Sequence, residues 1–144
     1  MVQSFDFGII GAGPAGYTAA LHAAAKGMSV VMFEKDCIGG VCLNRGCIPT
    51  KAILHSAELF EEMQNAVGIR CENLSVDYKA VVEHKNSVVE RLRKSLELSL
   101  KNSSVVIRNS KAKIKSRTEI EADGEIYTCK NIIAACGASP RVLK

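Results

Sequence analysis

The feature that most constrains the fold is a glycine-rich turn between an apolar run and a helix of small residues. The run covers residues 5–10, the turn reads Gly-Ala-Gly-Pro-Ala-Gly over residues 11–16, and Ala-rich sequence continues to about Lys26. A second apolar run follows at residues 29–33 and ends at Glu34. Strand, helix and strand in this order predict a βαβ unit, with a parallel sheet and a right-handed crossover.

The spacing of the glycines in this turn indicates a dinucleotide site. Gly11 permits the tight turn, Gly13 lets a pyrophosphate approach the backbone, and Gly16 lets helix and strand pack closely. The helix N-terminus offers free N–H groups and a partial positive charge to phosphates. Glu34 can accept from both ribose hydroxyls and disfavours a 2′-phosphate, so the turn predicts FAD or NAD rather than NADP. The alternative is a turn that merely packs tightly.

Length and composition bound the class of protein. A chain of 144 residues, 47% hydrophobic and 24% charged, suits one compact domain with a hydrophobic core. A net charge of +4 and 5% aromatic residues give no support for a nucleic-acid partner. No apolar run is long enough to span a bilayer, and the N-terminus lacks a signal-peptide pattern. We expect a cytoplasmic protein without a membrane or nucleic-acid partner.

The rest of the chain predicts two helices and several short strands. Helices are expected at residues 49–65 and 78–101, with apolar stripes containing Leu59, Met63 and Leu92. The segment before the first of these helices is expected to be a Gly-rich loop. Strands are predicted at residues 105–108, 112–115, 119–122, 125–127 and 131–135, with Asp123-Gly124 as a hairpin turn.

Two of the six cysteines stand out by their context. Cys42 and Cys47 are five positions apart, which on a regular helix separates their Cα atoms by roughly 8–9 Å, beyond the reach of a disulfide. A bond therefore needs an irregular first turn, which Gly46 and Pro49 would permit. A helix that starts near Pro49 would place Cys47 at its N-terminus, where the dipole favours a thiolate.

Other interpretations of the cysteines remain open at this point. Cys42 and Cys47 could be buried structural residues, although the preceding dinucleotide turn favours a redox disulfide. Lys51, one helical turn further on, can place its ammonium near the same site. The remaining cysteines are expected to be core or surface thiols, and the ligand spacing for a metal site is poor. They are Cys37, Cys71, Cys129 and Cys136.

Four segments together resemble the pyridine nucleotide–disulfide oxidoreductases: GAGPAG at 11–16, Glu34-Lys35, GGVCLNRGCIPTK at 39–51 and IIAACGASPR at 132–141. The resemblance covers the whole chain. The two-cysteine segment is most similar to members that act on dihydrolipoyl groups, whereas glutathione and mercuric reductases typically have Val-Asn-Val-Gly-Cys-Val-Pro. The fold implied is α/β, a Rossmann-like FAD-binding domain with a central parallel sheet, helices and a small antiparallel β-meander, incomplete relative to the family.

The resemblance also implies roles for individual residues. Cys42 would be the interchange thiol and Cys47 the charge-transfer thiol, with Lys51 near the flavin. Ala112 would contact adenine through its backbone, and Cys136 replaces the usual Thr of the segment that closes over the flavin. The residues implied to bind FAD are Gly11, Gly13, Pro14, Ala15, Gly16, Glu34, Lys35, Gly40, Val41, Cys42, Lys51, Ala112, Ala135, Cys136 and Gly137.

The function implied is the oxidation of protein-bound dihydrolipoamide to lipoamide, with FAD as cofactor and NAD⁺ as acceptor. The partners would be the dihydrolipoyl domain of 2-oxo-acid dehydrogenase complexes and, in the full-length form, a second copy in a homodimer. Because the sequence has no second Gly-x-Gly-x-x-Gly, residues 1–144 are expected to be the N-terminal part of the FAD-binding domain. The NAD-binding and dimerisation domains would be absent, and this chain alone inactive. The alternatives are a related disulfide reductase of the glutathione or mercuric type and a stand-alone flavin-binding module.

Overall fold

The computed structural model describes residues 3–143, which fall into two compact units. The first unit comprises the chain up to Gly40 together with the segment from Ser95 onward, and the second is Val41–Lys94. In chain order the elements are β1 (Gln3–Ile10), α1 (Pro14–Ala25), β2 (Val30–Phe33), α2 (Gly40–Arg45), α3 (Cys47–Asn65), α4 (Tyr78–Asn102), β3 (Val106–Arg108), β4 (Ala112–Ile114), β5 (Glu119–Ala122) and β6 (Glu125–Ala134).

The first unit is built on one mixed sheet with the strand order β3-β2-β1-β6-β5-β4. The strand β1 is parallel to both of its neighbours, β2 and β6, and β2 is parallel to β3. The strands β4, β5 and β6 form an antiparallel meander. Asp123 and Gly124 both have positive φ, 50° and 80°, as the predicted hairpin turn requires. The predicted α/β class, with a central parallel sheet and a small meander, is confirmed.

The meander folds back over one face of the parallel strands. The strands β3 and β4 are at opposite edges of the sheet, yet only residues 109–111 connect them. Four Cα steps reach at most about 14 Å, whereas five strand spacings of a flat sheet measure about 24 Å. The side chains agree with this folding, because Arg108 Nε of β3 donates to the Tyr127 hydroxyl of β6 at 3.0 Å.

This folding creates one of the two cores of the first unit. Val31 and Phe33 of β2 pack with Ile120 of β5 and Tyr127 of β6. The Phe33 and Tyr127 rings meet edge to face, with centroids 5.0 Å apart. An added Cβ at Gly8 would come within 2.5 Å of the side chains of both Ile120 and Cys129, so the β1 backbone lies directly against this core.

The opposite face of the parallel strands is covered by helix. Ile9 and Met32, which are fully buried, pack against Ala20 of α1 and Leu100 in the last turn of α4. Small side chains along α1 allow it to lie close to the sheet, and this contact fixes the N-terminus of α1 at the carboxyl ends of β1 and β2.

Two of the expected elements are wrong. The separate strands at 125–127 and 131–135 are the single strand β6, and the Gly-rich loop contains the short helix α2. The two expected strands leave residues 128–130 outside any strand. In the structure Lys130 instead forms an ion pair with Asp6 on the neighbouring strand, with an N–O distance of 2.7 Å, so a polar outward-facing position continues the strand.

The second unit contains α3 and most of α4 as predicted, with modest differences at the helix ends. Its apolar stripes are not buried: Leu59, Met63 and Leu92 remain 46%, 47% and 39% exposed. Pro49 is the one buried residue of α3. Across residues 3–143, none of the helices is long and apolar enough to cross a membrane.

Candidate functional site

The glycine-rich turn is locked by packing at two of its glycines. Gly11 has a φ of +102°, and a Cβ added there would overlap the carbonyl of Ala135, the residue directly after β6. A Cβ at Gly16 would overlap the Gly11 carbonyl oxygen. The chain's own contacts therefore require glycine at both positions, one for the turn and one for the approach of α1 to β1.

Gly13 differs from these two because the chain's own packing does not require it. A Cβ added at Gly13 would have only the Gly40 Cα near it, at 3.8 Å, which is ordinary van der Waals contact. Gly13 is the N-cap of α1 and makes no side-chain capping bond, while Pro14 and Ala15 are exposed. The turn therefore leaves open space directly in front of the helix N-terminus, where a pyrophosphate would fit.

Glu34 ties the end of β2 to the turn. Its Oε2 accepts from the Ala12 N–H at 2.8 Å, and its Oε1 accepts from the Asp36 N–H at 2.9 Å. The Ala12 carbonyl in turn accepts from the Gly39 N–H at 2.8 Å. A carboxylate has about four acceptor positions, so the two that remain are available to ribose hydroxyls. The sequence alone did not predict that Glu34 also holds the turn in place by accepting the hydrogen bond from the Ala12 N–H.

A pocket of about 170 Å³ lies beside the turn, outside the carboxyl ends of β1, β2 and β3. Ligands of open α/β sheets bind at this end of the strands. The pocket brings together five of the residues predicted to bind cofactor: Gly11, Glu34, Lys35, Ala112 and Cys136. Its full lining is Ile10, Gly11, Phe33, Glu34, Lys35, Ser110, Lys111, Ala112 and Cys136.

Ser110 is the pocket residue that sequence reasoning missed most clearly. It is 7% exposed, and its Oγ is buried without a hydrogen-bond partner among the described residues. Buried hydroxyls are almost always paired, so an unpaired one at a pocket fits a site shaped for a polar ligand. The available signal was a hydroxyl residue in a short interstrand connection two positions before Ala112.

The cysteine pair lies in the second unit, at a break between two helices. The helix α2 ends at Arg45, Gly46 has φ −125° and ψ −107°, and α3 begins at Cys47. A Cβ at Gly46 would come within 3.1 Å of the Val41 carbonyl oxygen, so the break folds tightly onto α2. The irregular turn that a Cys42–Cys47 bond needs is thus present, and α3 begins at Cys47 itself, two residues before the predicted position.

The structure holds Cys42 and Cys47 as free thiols in contact with each other. The pKa of Cys42 is raised above its ordinary value, first because its thiol is hydrogen-bonded to Cys47. Partial burial and the negative charge of a Cys47 thiolate raise it further, whereas the nearby Lys51 ammonium opposes the shift. In the reduced pair the Cys42 thiol therefore keeps its proton to a higher pH than an ordinary cysteine does.

Replacement of Cys47 by alanine should make Cys42 easier to ionise. The hydrogen bond and the like charge that raise the Cys42 pKa both disappear, while Lys51 remains. We expect the pH midpoint of Cys42 alkylation by iodoacetamide to fall and its rate at neutral pH to rise several-fold, measured by peptide mass spectrometry. The Cys71→Ala variant, at an exposed thiol, is the control and should leave the Cys42 profile unchanged. An unchanged midpoint in Cys47→Ala would contradict the pairing.

The predicted site residues thus form two groups, each within its own unit. The turn, Glu34 and the pocket belong to the first unit, and there Gly40 lies against the turn, since a Cβ on it would be 2.7 Å from Gly13 Cα. Gly137, with a φ of +66°, is exposed after β6. Val41, Cys42, Cys47 and Lys51 belong to the second unit.

A dinucleotide-type turn and a close thiol pair in one chain define a class of redox protein, and comparison with known families gives the same class. Residues 5–144 match the family described as pyridine nucleotide-disulphide oxidoreductase, and the chain belongs to that family. Its curated relatives include proteins named dihydrolipoyl dehydrogenase.

The similarity to these relatives extends over nearly the whole chain. The dihydrolipoyl dehydrogenase of Chlamydia trachomatis serovar D is 39% identical over 98% of this chain. Those of Chlorobaculum parvum and Staphylococcus aureus are 40% and 41% identical over 96% and 92% of it. The chain spans only 31% of the length of the Chlamydia relative.

Proposed function

We propose that this chain binds FAD and carries the redox disulfide of an enzyme that oxidises dihydrolipoyl groups. The thiol contact between Cys42 and Cys47 across the break at Gly46 is the observation that carries the proposal. The names of the relatives support a dihydrolipoyl group as the substrate. We take its carrier to be the lipoyl domain of a 2-oxo-acid dehydrogenase complex, which the resemblance implies. The half-reaction in which the dihydrolipoyl group is oxidised uses the cysteine pair of this chain, and turnover with NAD⁺ is proposed for the full-length enzyme.

The first unit would hold the cofactor through its turn and pocket. The N-terminus of α1 would face the pyrophosphate, with Gly13 leaving room for it, and Glu34 would accept from the ribose. The pocket beside Ala112 would take the adenine. When bound, FAD supplies a two-electron acceptor for the reduced cysteine pair, with NAD⁺ as the final acceptor.

The second unit would perform thiol–disulfide exchange. A dihydrolipoyl thiolate attacks Cys42 of the Cys42–Cys47 disulfide, forming a mixed disulfide and releasing Cys47 as a thiolate. The second lipoyl sulfur, after losing its proton, then attacks the lipoyl sulfur of the mixed disulfide and releases Cys42, which takes up a proton. One lipoyl disulfide forms and the Cys42–Cys47 disulfide becomes a dithiol, so two electrons move to the protein. The raised pKa of Cys42 suits this last step, since it favours the protonated form of Cys42 after the lipoyl disulfide has left.

The proposal is tested by an anaerobic titration of the purified chain with FAD bound. We expect visible flavin absorption from the loaded chain and, on adding dihydrolipoamide, a long-wavelength shoulder that indicates a thiolate beside the flavin. Cys47→Ser should bind FAD equally well and show no shoulder, with Cys71→Ser as the matched control that retains it. Failure to bind FAD would overturn the proposal, and a full response to glutathione with none to dihydrolipoamide would favour the glutathione-reductase type.

A further inference from the structure

We propose that the Ser110 hydroxyl is a ligand of the adenine ring and gives the pocket part of its preference for adenosine. This inference rests on the proposed FAD site and adds to it a side chain that the resemblance does not assign. Ser110 lies between β3 and β4, at the carboxyl-end edge of the sheet where the pocket opens.

The connection around Ser110 holds the hydroxyl in a defined place. The Ser110 N–H donates to the Arg108 carbonyl at 3.0 Å, which closes a tight turn directly after β3. Arg108 is itself fixed, because its Nε donates to the Tyr127 hydroxyl at 3.0 Å and that hydroxyl donates to Glu125 at 2.7 Å. Ser110 therefore lies in a turn that hydrogen bonds hold in place, and not in an unconstrained loop.

The hydroxyl itself is left without a partner. Its Oγ is buried and has no hydrogen-bond partner among the described residues, although Ser110 is one of the residues that line the pocket. An unpaired buried hydroxyl destabilises the ligand-free protein, and a ligand that pairs with it recovers that free energy on binding.

The neighbours of Ser110 favour a flat ring with polar edges as the ligand. Phe33 and Ala112 contribute apolar surface to the pocket, and Glu34 of the same lining has acceptor positions that suit a ribose. Adenine offers an amino group that can donate and ring nitrogens that can accept, so it can pair with a hydroxyl in either sense. The Ser110 hydroxyl would thus contact the base, and Glu34 the sugar.

The Ser110→Ala variant separates this role from a structural one because two effects of opposite sign are expected. Without ligand, the variant should unfold at the same temperature as the unsubstituted chain or a higher one, since a buried unpaired group has been removed. Its FAD dissociation constant should rise about 3- to 10-fold, the effect of one lost hydrogen bond. ADP, which carries adenosine without flavin, should lose potency as a competitor by the same factor. Ser99→Ala, at an exposed position on α4, is the matched control and should change neither quantity.

The outcomes distinguish this inference from the proposed function. Equal FAD and ADP affinities in Ser110→Ala and the unsubstituted chain would overturn the role of Ser110 and leave the FAD site standing. A lower unfolding temperature with unchanged affinity would do the same and would show that the hydroxyl is structural. Failure of the unsubstituted chain to bind FAD or ADP would overturn the proposed function, and this inference with it.

Discussion

Replacement of Gly16 by alanine should lower the thermal unfolding temperature of the first unit by about 12–24 °C. The added Cβ would overlap the Gly11 carbonyl oxygen, which belongs to backbone and not to a flexible side chain. Relief requires α1 to move away from β1, and α1 covers the core around Ile9 and Met32. Overpacking of this kind costs about 3 kcal/mol, which corresponds to that shift for a domain of this size.

The matched control for Gly16→Ala is Gly13→Ala, three positions earlier in the same turn. Gly13 has a negative φ of −73°, and its added Cβ would meet nothing nearer than the Gly40 Cα at 3.8 Å. Circular dichroism melts of the ligand-free variants should therefore show a large shift for Gly16→Ala and almost none for Gly13→Ala. Equal melting temperatures for the two variants would show that α1 does not lie as close to β1 as the structure has it.

The parts of the fold that the sequence predicted are those specified by local chemistry. The βαβ unit follows from two apolar runs around a glycine turn. The hairpin follows from Asp123-Gly124, because this dipeptide tolerates the positive φ values that the turn requires. In each case a few neighbouring residues determine the conformation. The strand assignment failed at Lys130, where the deciding partner, Asp6, is on another strand and far away in the sequence.

The short helix α2 was missed for a different physical reason. Its six residues are too few for apolar periodicity to be visible, and an isolated helix of that length is unstable. The break after it was nevertheless predictable, because Cys42 and Cys47 cannot approach each other on a regular helix and Gly46 stands between them. The spacing of the two cysteines thus predicted the break at Gly46, whereas it did not predict the helix α2 that precedes the break.

The candidate site likewise has parts that the sequence predicts and parts that only the folded structure brings together. The glycine turn and the cysteine pair are contiguous motifs, and the sequence identified both. The hydrogen bond from the Ala12 N–H to Glu34 and the unpaired hydroxyl of Ser110 arise only when separate strands end at one edge of the sheet. The function of such groups can be inferred only from their neighbours in the folded structure, and not from their neighbours in the sequence. Resemblance to the family indicated Ala112 and Cys136, but it could not indicate Ser110, which has no assigned role there.

In contrast to its small effect on folding, Gly13→Ala should abolish most of the FAD binding of the chain. The methyl group would occupy the space in front of the α1 N-terminus, where the pyrophosphate must approach the free N–H groups. Pushing the phosphates outward weakens several charge-assisted hydrogen bonds together, for which we expect a roughly 30- to 100-fold rise in the FAD dissociation constant.

The measurement is a titration of the ligand-free variant with FAD, followed by the change in flavin fluorescence. Ala25→Gly is the control from the C-terminal end of the same helix, since it removes a methyl group from an exposed position and should leave the affinity within about 3-fold. If Gly13→Ala bound FAD as tightly as the unsubstituted chain while retaining its fold, the phosphates could not lie at this helix N-terminus. The open space at Gly13 would then need another explanation, and the FAD site would have to be sought elsewhere on the chain.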